Sequence, residues 1–364
     1  MPILARLQLP SLAVAFALIA PLSSPAAAQD GGAPDPAVAK ASADAVRAEL
    51  ERRIRMKSGR PEAAKVIPGN EALAKVDSGE LVRSALARFG RQVIYGTDDR
   101  KDWHEITNPA VKAVAMASVA LFKADDFEPV LTGVQSIKVK PFVEAYRLCP
   151  DERYVEQSIG AFCSGTLVAP NVVLTAGHCV AEVAKGGGVP PASQIRFVFG
   201  FRVEEKGGVG PDVAGDRQIY TGRRVLGGEL QNNGRDWALV ELDRPVDPEV
   251  AQPIKAVRRE PVRRGLGVYV IGYPSGLPLK YAPGAQVRDD NNPDFFVANL
   301  DTYGGNSGSG VFEAGTNALV GILVRGETDY VQDQQKQCRR SNICPTTGCR
   351  GEDVTRVTIV QFPK

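Results

Sequence analysis

Histidine is nearly absent from this chain, with only His104 and His178 in 364 residues. None of the six cysteines forms a C-x2-C pair, so the chain lacks the ligand spacing of the common structural zinc sites, and no metal or cofactor is expected. Neither sign of charge dominates. The 44 basic and 42 acidic side chains leave a formal net charge of +2, which gives no reason to expect nucleic acid or an anionic membrane as a partner. No apolar run reaches the ~20 uncharged residues that a bilayer-crossing helix needs, and no repeat of fixed period occurs. What remains is ordinary for a globular chain, 43% hydrophobic and 24% charged, and long enough for two packed cores.

The opening "MPILARLQLPSLAVAFALIAPLSSPAAAQD" carries Arg6, a short apolar run from Leu12 to Leu22, and the small residues Ala26, Ala27 and Ala28 before Gln29. It reads as a signal peptide over residues 1–28, and the protein is expected to be secreted. In an oxidising compartment the six cysteines, an even number, fit three disulfides. Residues 29–92 read as helical. Val46, Leu50 and Ile54 recur every four residues, with Glu49 and Glu51 four positions ahead of Arg53 and Arg55. Asp77 and Glu80 have capping-box spacing ahead of a Val82, Leu86, Phe89 stripe. A pro-segment or a small accessory helical unit accounts for both helices.

After about residue 92 the texture changes to short β-branched and aromatic runs: "MASVALF", "CSGTLVA", "NVVLTA", "IRFVFGF", "WALVEL", "VYVIGY", "FFVANL", "NALVGILV" and "RVTIVQF". Such spacing predicts an all-β sandwich or barrel. "KGGGVP" and "DDNNPD" read as loops, the latter as a turn, since it lacks the spacing of a calcium loop. In "DTYGGNSGSGVF", glycines flank Ser307, allowing a sharp turn that exposes the hydroxyl and aims the amides of Gly305 and Ser307 at one point. A serine hydroxyl needs a base, and His178, at the end of an apolar run, is the candidate. The imidazole in turn needs a carboxylate. Asp236 opens the strand "DWALVEL", where it can be partly buried.

With "CSGTLVAPNVVLTAGHC", "DWALVEL" and "GGNSGS" in that order, the chain resembles the chymotrypsin/trypsin-like serine proteases, and among them secreted bacterial types related to glutamyl endopeptidases. "VIYGTDDR" and "GYPSGLPLKYA" add to the likeness, which covers about residues 93–364. It implies two packed six-stranded antiparallel β-barrels, at about 93–245 and 246–364. It also implies a triad of His178, Asp236 and Ser307, an oxyanion hole from the Gly305 and Ser307 amides, and a Cys163 to Cys179 disulfide. The expected activity is that of a secreted serine endopeptidase acting on proteins or peptides as a monomer, without nucleic-acid or membrane partners. A catalytically silent, secreted binding or adhesion protein is the other reading.

The same likeness places Asp301, Thr302, Leu323, Arg325 and Gly326 around the substrate pocket. Asp301 occupies the pocket-base position of trypsin-like enzymes, which favours cleavage after Arg or Lys. The competing reading makes it a buried structural carboxylate paired with Arg325 or with backbone amides. Thr302 matches a threonine of glutamyl endopeptidases, but Leu323 stands where their pocket histidine is expected, and Arg325 can attract an acidic side chain instead. Asn306 replaces the aspartate that pairs with a new N-terminus in trypsin-like enzymes, so the expected mature start is at or near Val93, packed by the pocket. Among the late cysteines, one member of "CRRSNICPTTGC" is expected to tie to Cys149, with the choice left open.

Overall fold

The computed structural model describes residues 93–363 apart from 185–188, 232–233 and 327, together with 67–76 and six scattered positions between 36 and 52. The expected signal peptide, the helix expected after Asp77 and most of the one before it lie outside the described residues. Within the first of these helices, Glu49 receives both Nε and Nη2 of Arg52, three residues on.

Six strands close the first barrel: β1 (Ser118–Lys123), β2 (Cys163–Ala169), β3 (Val172–Thr175), β4 (Ile195–Phe199), β5 (Ile219–Leu230) and β6 (Asp236–Leu242). They pair in the order β4-β5-β6-β3-β2-β1, and β1 returns to β4 through Leu121 opposite Phe197. The second barrel comprises β7 (Gly267–Gly272), β8 (Lys280–Asp289), β9 (Phe295–Ala298), β10 (Gly310–Glu313), β11 (Leu319–Arg325) and β12 (Glu352–Arg356). Its order is β7-β10-β11-β12-β9-β8, closed by pairing of β7 with β8. All these pairings are antiparallel, and closure removes the open edges that would otherwise invite another strand. Leu121, Leu174, Phe197 and Leu239 are buried in the first core, and Val268, Phe296, Val311 and Val354 in the second.

One sequence expectation changes. "RVTIVQF" is not one strand, because β12 ends at Arg356 and Val357–Ile359 form a 3-10 turn. β5 and β8, by contrast, are strands that the sequence concealed. Each contains glycine, and β8 also contains Pro283, and register shifts occur along both.

The chain enters through Ile94–Tyr95, which runs parallel to Ile343–Cys344, and Lys101–Asp102, which pairs with the start of β8. Lys280 fixes the second contact. Its buried Nζ donates to Asp102 Oδ1 at 2.6 Å, Gln157 Oε1 at 2.8 Å and the Pro278 carbonyl at 3.0 Å, matching its three protons to three acceptors. Burial still pulls the amine down to about 8, against the opposing charge of Asp102.

Candidate active site

His178 sits in the 3-10 turn Gly177–Cys179 that follows β3. Glycine is required before it, since a Cβ at Gly177 would lie 2.5 Å from the Glu229 carbonyl and 3.0 Å from that of Trp237. A disulfide joins Cys163, the first residue of β2, to Cys179 and so anchors this turn to the barrel wall. Closing a loop of this length is worth about 3 kcal/mol in the chain-entropy account. Because the two sulfurs are bonded to each other, their closeness to the imidazole is not that of a metal site.

Asp236, the first residue of β6, is buried and holds His178 twice: Oδ2 lies 2.7 Å from Nδ1, and Oδ1 accepts the His178 backbone N–H at 3.1 Å. Burial alone would lower the imidazole, but the charge and hydrogen bond of Asp236 outweigh it, so His178 is raised above the ordinary histidine value. Burial likewise pushes the Asp236 carboxyl up. The His178 charge and hydrogen bonds, helped by the charge of Arg325, reverse this and hold the carboxyl below its usual range. The imidazole keeps about a third of its surface open, with a side-chain exposure of 35%.

Ser307 arrives from the other barrel, just ahead of β10. Its carbonyl oxygen accepts the Ser164 N–H at 2.8 Å and lies 3.7 Å from Cys179 Sγ, so the nucleophile candidate stands beside the residue that follows His178. Gly305 and Gly308 both have positive φ, 90° and 87°, which supplies the sharp turn on either side of it. A Cβ at Gly308 would also run into the Ser164 carbonyl and the Thr175 hydroxyl. Ser164 joins the barrels: its Oγ donates to the Gly305 carbonyl at 2.8 Å and accepts the Tyr273 N–H at 3.0 Å. Asn306 is buried, and its Oδ1 accepts the Ser309 hydroxyl at 3.1 Å.

The residues expected around the pocket divide sharply. The two oxygens of Asp301 accept the Tyr95 N–H at 2.7 Å and the Asp99 N–H at 3.3 Å. Arg325 instead approaches Asp353, 3.4 Å from Nε to Oδ2, so of the two partners weighed for a structural Asp301, Arg325 or backbone amides, it is the amides that bond to it. Thr302 donates its hydroxyl to Glu352 Oε2 at 3.1 Å. Leu323 is buried in the second core, and its backbone bonds to Gly308 and Ser309. Gly326 is buried at the end of β11, whereas the Arg325 side chain keeps 21% exposure.

Residues 163–322 match the family model of the trypsin-like peptidase domain. No curated protein matches the sequence. Among solved structures the chain is similar to a Glu endopeptidase in complex with MPD, at 15% identity and a TM-score of 0.41 over 73% of this chain and 94% of that one. It is also similar to the inactive form of the Rv3671c protease, at 15% identity and a TM-score of 0.38 over 69% and 89% of the two chains. A further structure of Rv3671c, from M. tuberculosis H37Rv, is similar at 14% identity and a TM-score of 0.36 over 73% of this chain and 91% of that one.

Two more disulfides close the described chain: Cys149 pairs with Cys338, resolving the open choice, and Cys344 with Cys349. Among the described residues no helix is long and apolar enough to cross a membrane. Sequence reasoning missed Ser164 and Glu352. Ser164 lies in a stretch that reads only as strand, and Glu352 in "GEDVTR" has the look of a surface turn although it is fully buried.

Proposed function

We propose that this peptidase is a secreted serine endopeptidase that works through an acyl-enzyme. The observation that carries the reading is the two-point hold of Asp236 on His178, with the Ser307 backbone set against Cys179. With Nδ1–H donated to Asp236, the Nε2 of His178 is left as an acceptor. It takes the Ser307 proton as Oγ attacks the substrate carbonyl carbon, and the oxyanion is received by the Gly305 and Ser307 amides. Collapse of the tetrahedral adduct expels the amine, which takes the proton back from His178. Water then attacks the ester by the same route, releasing the acid and restoring Ser307.

The proposal includes export after removal of residues 1–28, loss of residues 29–92 as a pro-segment, and a monomeric mature chain starting at or near Val93 that acts on proteins or peptides. The side-chain preference follows from exposure. Of the five expected pocket residues, Arg325 alone keeps a charge partly open to solvent, though it also approaches Asp353, while both oxygens of Asp301 already accept amides. Acidic side chains near the scissile bond are therefore favoured. Digestion of an unbiased peptide mixture by the purified secreted protein tests this. Enrichment of Asp or Glu around the cut sites supports it, and cleavage confined to Lys and Arg sites would restore Asp301 as the pocket base.

A further inference from the structure

Ser275 is buried, yet its backbone is left-handed, with φ 53° and ψ 18°. A residue with a Cβ is strained in that conformation, and glycine would hold the same turn without the strain. The next residue, Gly276, is itself glycine at φ 81°. What serine adds over a second glycine is a hydroxyl, and this one shares a hydrogen bond of 2.5 Å with the phenol of Tyr330. Strain kept at a buried position points to a local task.

The 3-10 turn Pro274–Gly276 packs against the loop before Ser307. Ser275 N–H donates to the Gly304 carbonyl, and a Cβ at Gly305 would lie 2.8 Å from the Tyr273 carbonyl and 3.2 Å from the Ser275 nitrogen. The Gly304 carbonyl and the Gly305 N–H belong to one planar peptide unit, and in a trans unit they point in opposite directions. Holding the carbonyl on Ser275 therefore turns the Gly305 N–H away from the turn. Glycine on both sides gives this unit little steric resistance to rotation, and a rotated unit would present a carbonyl oxygen in place of the donor.

Tyr330 anchors the other end of the hydrogen bond. It is buried, with its ring 4.8 Å from that of Tyr303, 5.2 Å from Tyr146 and 6.2 Å from Phe142. It opens the hairpin formed by Tyr330–Asp333 and Cys338–Ser341, a two-stranded sheet separate from both barrels. The Cys149 to Cys338 disulfide and the ion pairs of Arg340 with Asp151 and Glu152 fasten that hairpin to the segment 149–152. The strained turn is thereby tied to a cross-linked support.

We propose that Ser275 and Tyr330 are positioning residues for the oxyanion hole. Their hydroxyl pair fixes the turn, and the Ser275 N–H then holds the Gly304–Gly305 peptide with its own N–H available to the substrate oxyanion. The inference rests on the proposed serine endopeptidase. His178 is held separately, by Asp236, so the pair acts on the electrophilic side of the reaction and leaves the base alone.

The test uses the secreted protein, a peptide that the wild type cleaves, and the variants Tyr330→Phe, Ser275→Ala, Ser275→Gly and the Ser275→Ala, Tyr330→Phe double. Tyr330→Phe is expected to lower kcat at least about tenfold, short of the 10²–10³ that follows outright loss of an oxyanion donor. KM and the acid limb of the pH–rate profile should stay at their wild-type values. The double variant should fall no further than the worse single one, whereas losses that multiply would show two independent effects and overturn the pair. Ser275→Gly separates positioning from stability. Relieved of the left-handed strain, it should melt at or above Ser275→Ala while its kcat falls as far. If Ser275→Ala does not fold, Tyr330→Phe and Ser275→Gly decide. Wild-type kcat in either of these, whatever the melting temperature, overturns the positioning role and leaves the protease reading intact. A loss confined to KM would assign the pair to substrate binding and overturn the proposal. A folded wild-type protein that neither cleaves peptides nor labels at Ser307 with a fluorophosphonate overturns both readings.

Discussion

Asp236 grips His178 through both carboxylate oxygens, one on the ring Nδ1 at 2.7 Å and one on the backbone N–H at 3.1 Å, so tautomer and position are set by a single buried side chain. The two barrels matter because their junction sets the Ser307 carbonyl 3.7 Å from Cys179 Sγ, next in the chain to His178. The histidine and aspartate belong to the first barrel and the serine to the second, and Ser164 bridges them. Asp236→Asn is therefore expected to keep the fold while kcat drops by about 10⁴, the loss seen for the same change in a well-studied serine-protease triad. Steady-state kinetics with circular dichroism as a folding control would check it, and retention of a tenth or more of wild-type kcat would contradict it.

The pH dependence follows from the direction of the two shifts. His178 is raised and must be neutral to accept the Ser307 proton, so the acid limb of kcat/KM should lie above the ordinary histidine value of about 6.5. For stability the raised histidine contributes fully below about 6.5 and loses that contribution as pH rises through its folded value. The depressed Asp236 contributes above about 3.9 and loses it as pH falls through its lower folded value. Between those limits both partners are charged. A pH–rate profile with its acid limb at or below 6 would contradict the pairing.

Ser164→Ala removes the donor to the Gly305 carbonyl and the acceptor of the Tyr273 N–H. Leaving such buried groups unsatisfied costs about 1–3 kcal/mol each. A lower melting temperature is expected, together with a fall in kcat larger than the change in KM, because Gly305 carries a proposed oxyanion donor. Unchanged kcat in a destabilised variant would make Ser164 purely structural.

Asp301 offers a sharper choice. Burial pushes its carboxyl upward, as does the charge of nearby Asp99, while the Tyr95 amide pulls it down. A raised carboxyl contributes stability below about 3.9 and loses it as pH rises through the folded value. Asp301→Asn keeps an oxygen for Tyr95 and removes the charge. Its melting temperature at pH 8 should equal or exceed that of the wild type, with the cleavage profile unchanged. A selective loss of cleavage after Arg or Lys would place Asp301 at the base of the pocket after all.

Legibility in the sequence tracked how local each signal was. "NVVLTA" and "WALVEL" alternate or saturate with apolar residues, so β3 and β6 could be read directly. β5 and β8 carry glycines, a proline or arginines within the strand and are held by tertiary pairing across register shifts, which no local pattern encodes. The same division holds at the site. His178, Asp236 and Ser307 announce themselves through glycines and strand ends, whereas the contacts of Asp301 depend on where the entry strand lands, more than 200 residues away in sequence.

The most direct test of the central claim is labelling of the purified protein with a fluorophosphonate, followed by peptide mapping. A nucleophile activated by His178 predicts one adduct, on Ser307, formed in step with loss of peptidase activity and absent from His178→Ala and Ser307→Ala. Failure of the folded protein to label, or peptidase activity that survives in Ser307→Ala, would contradict the serine-protease account.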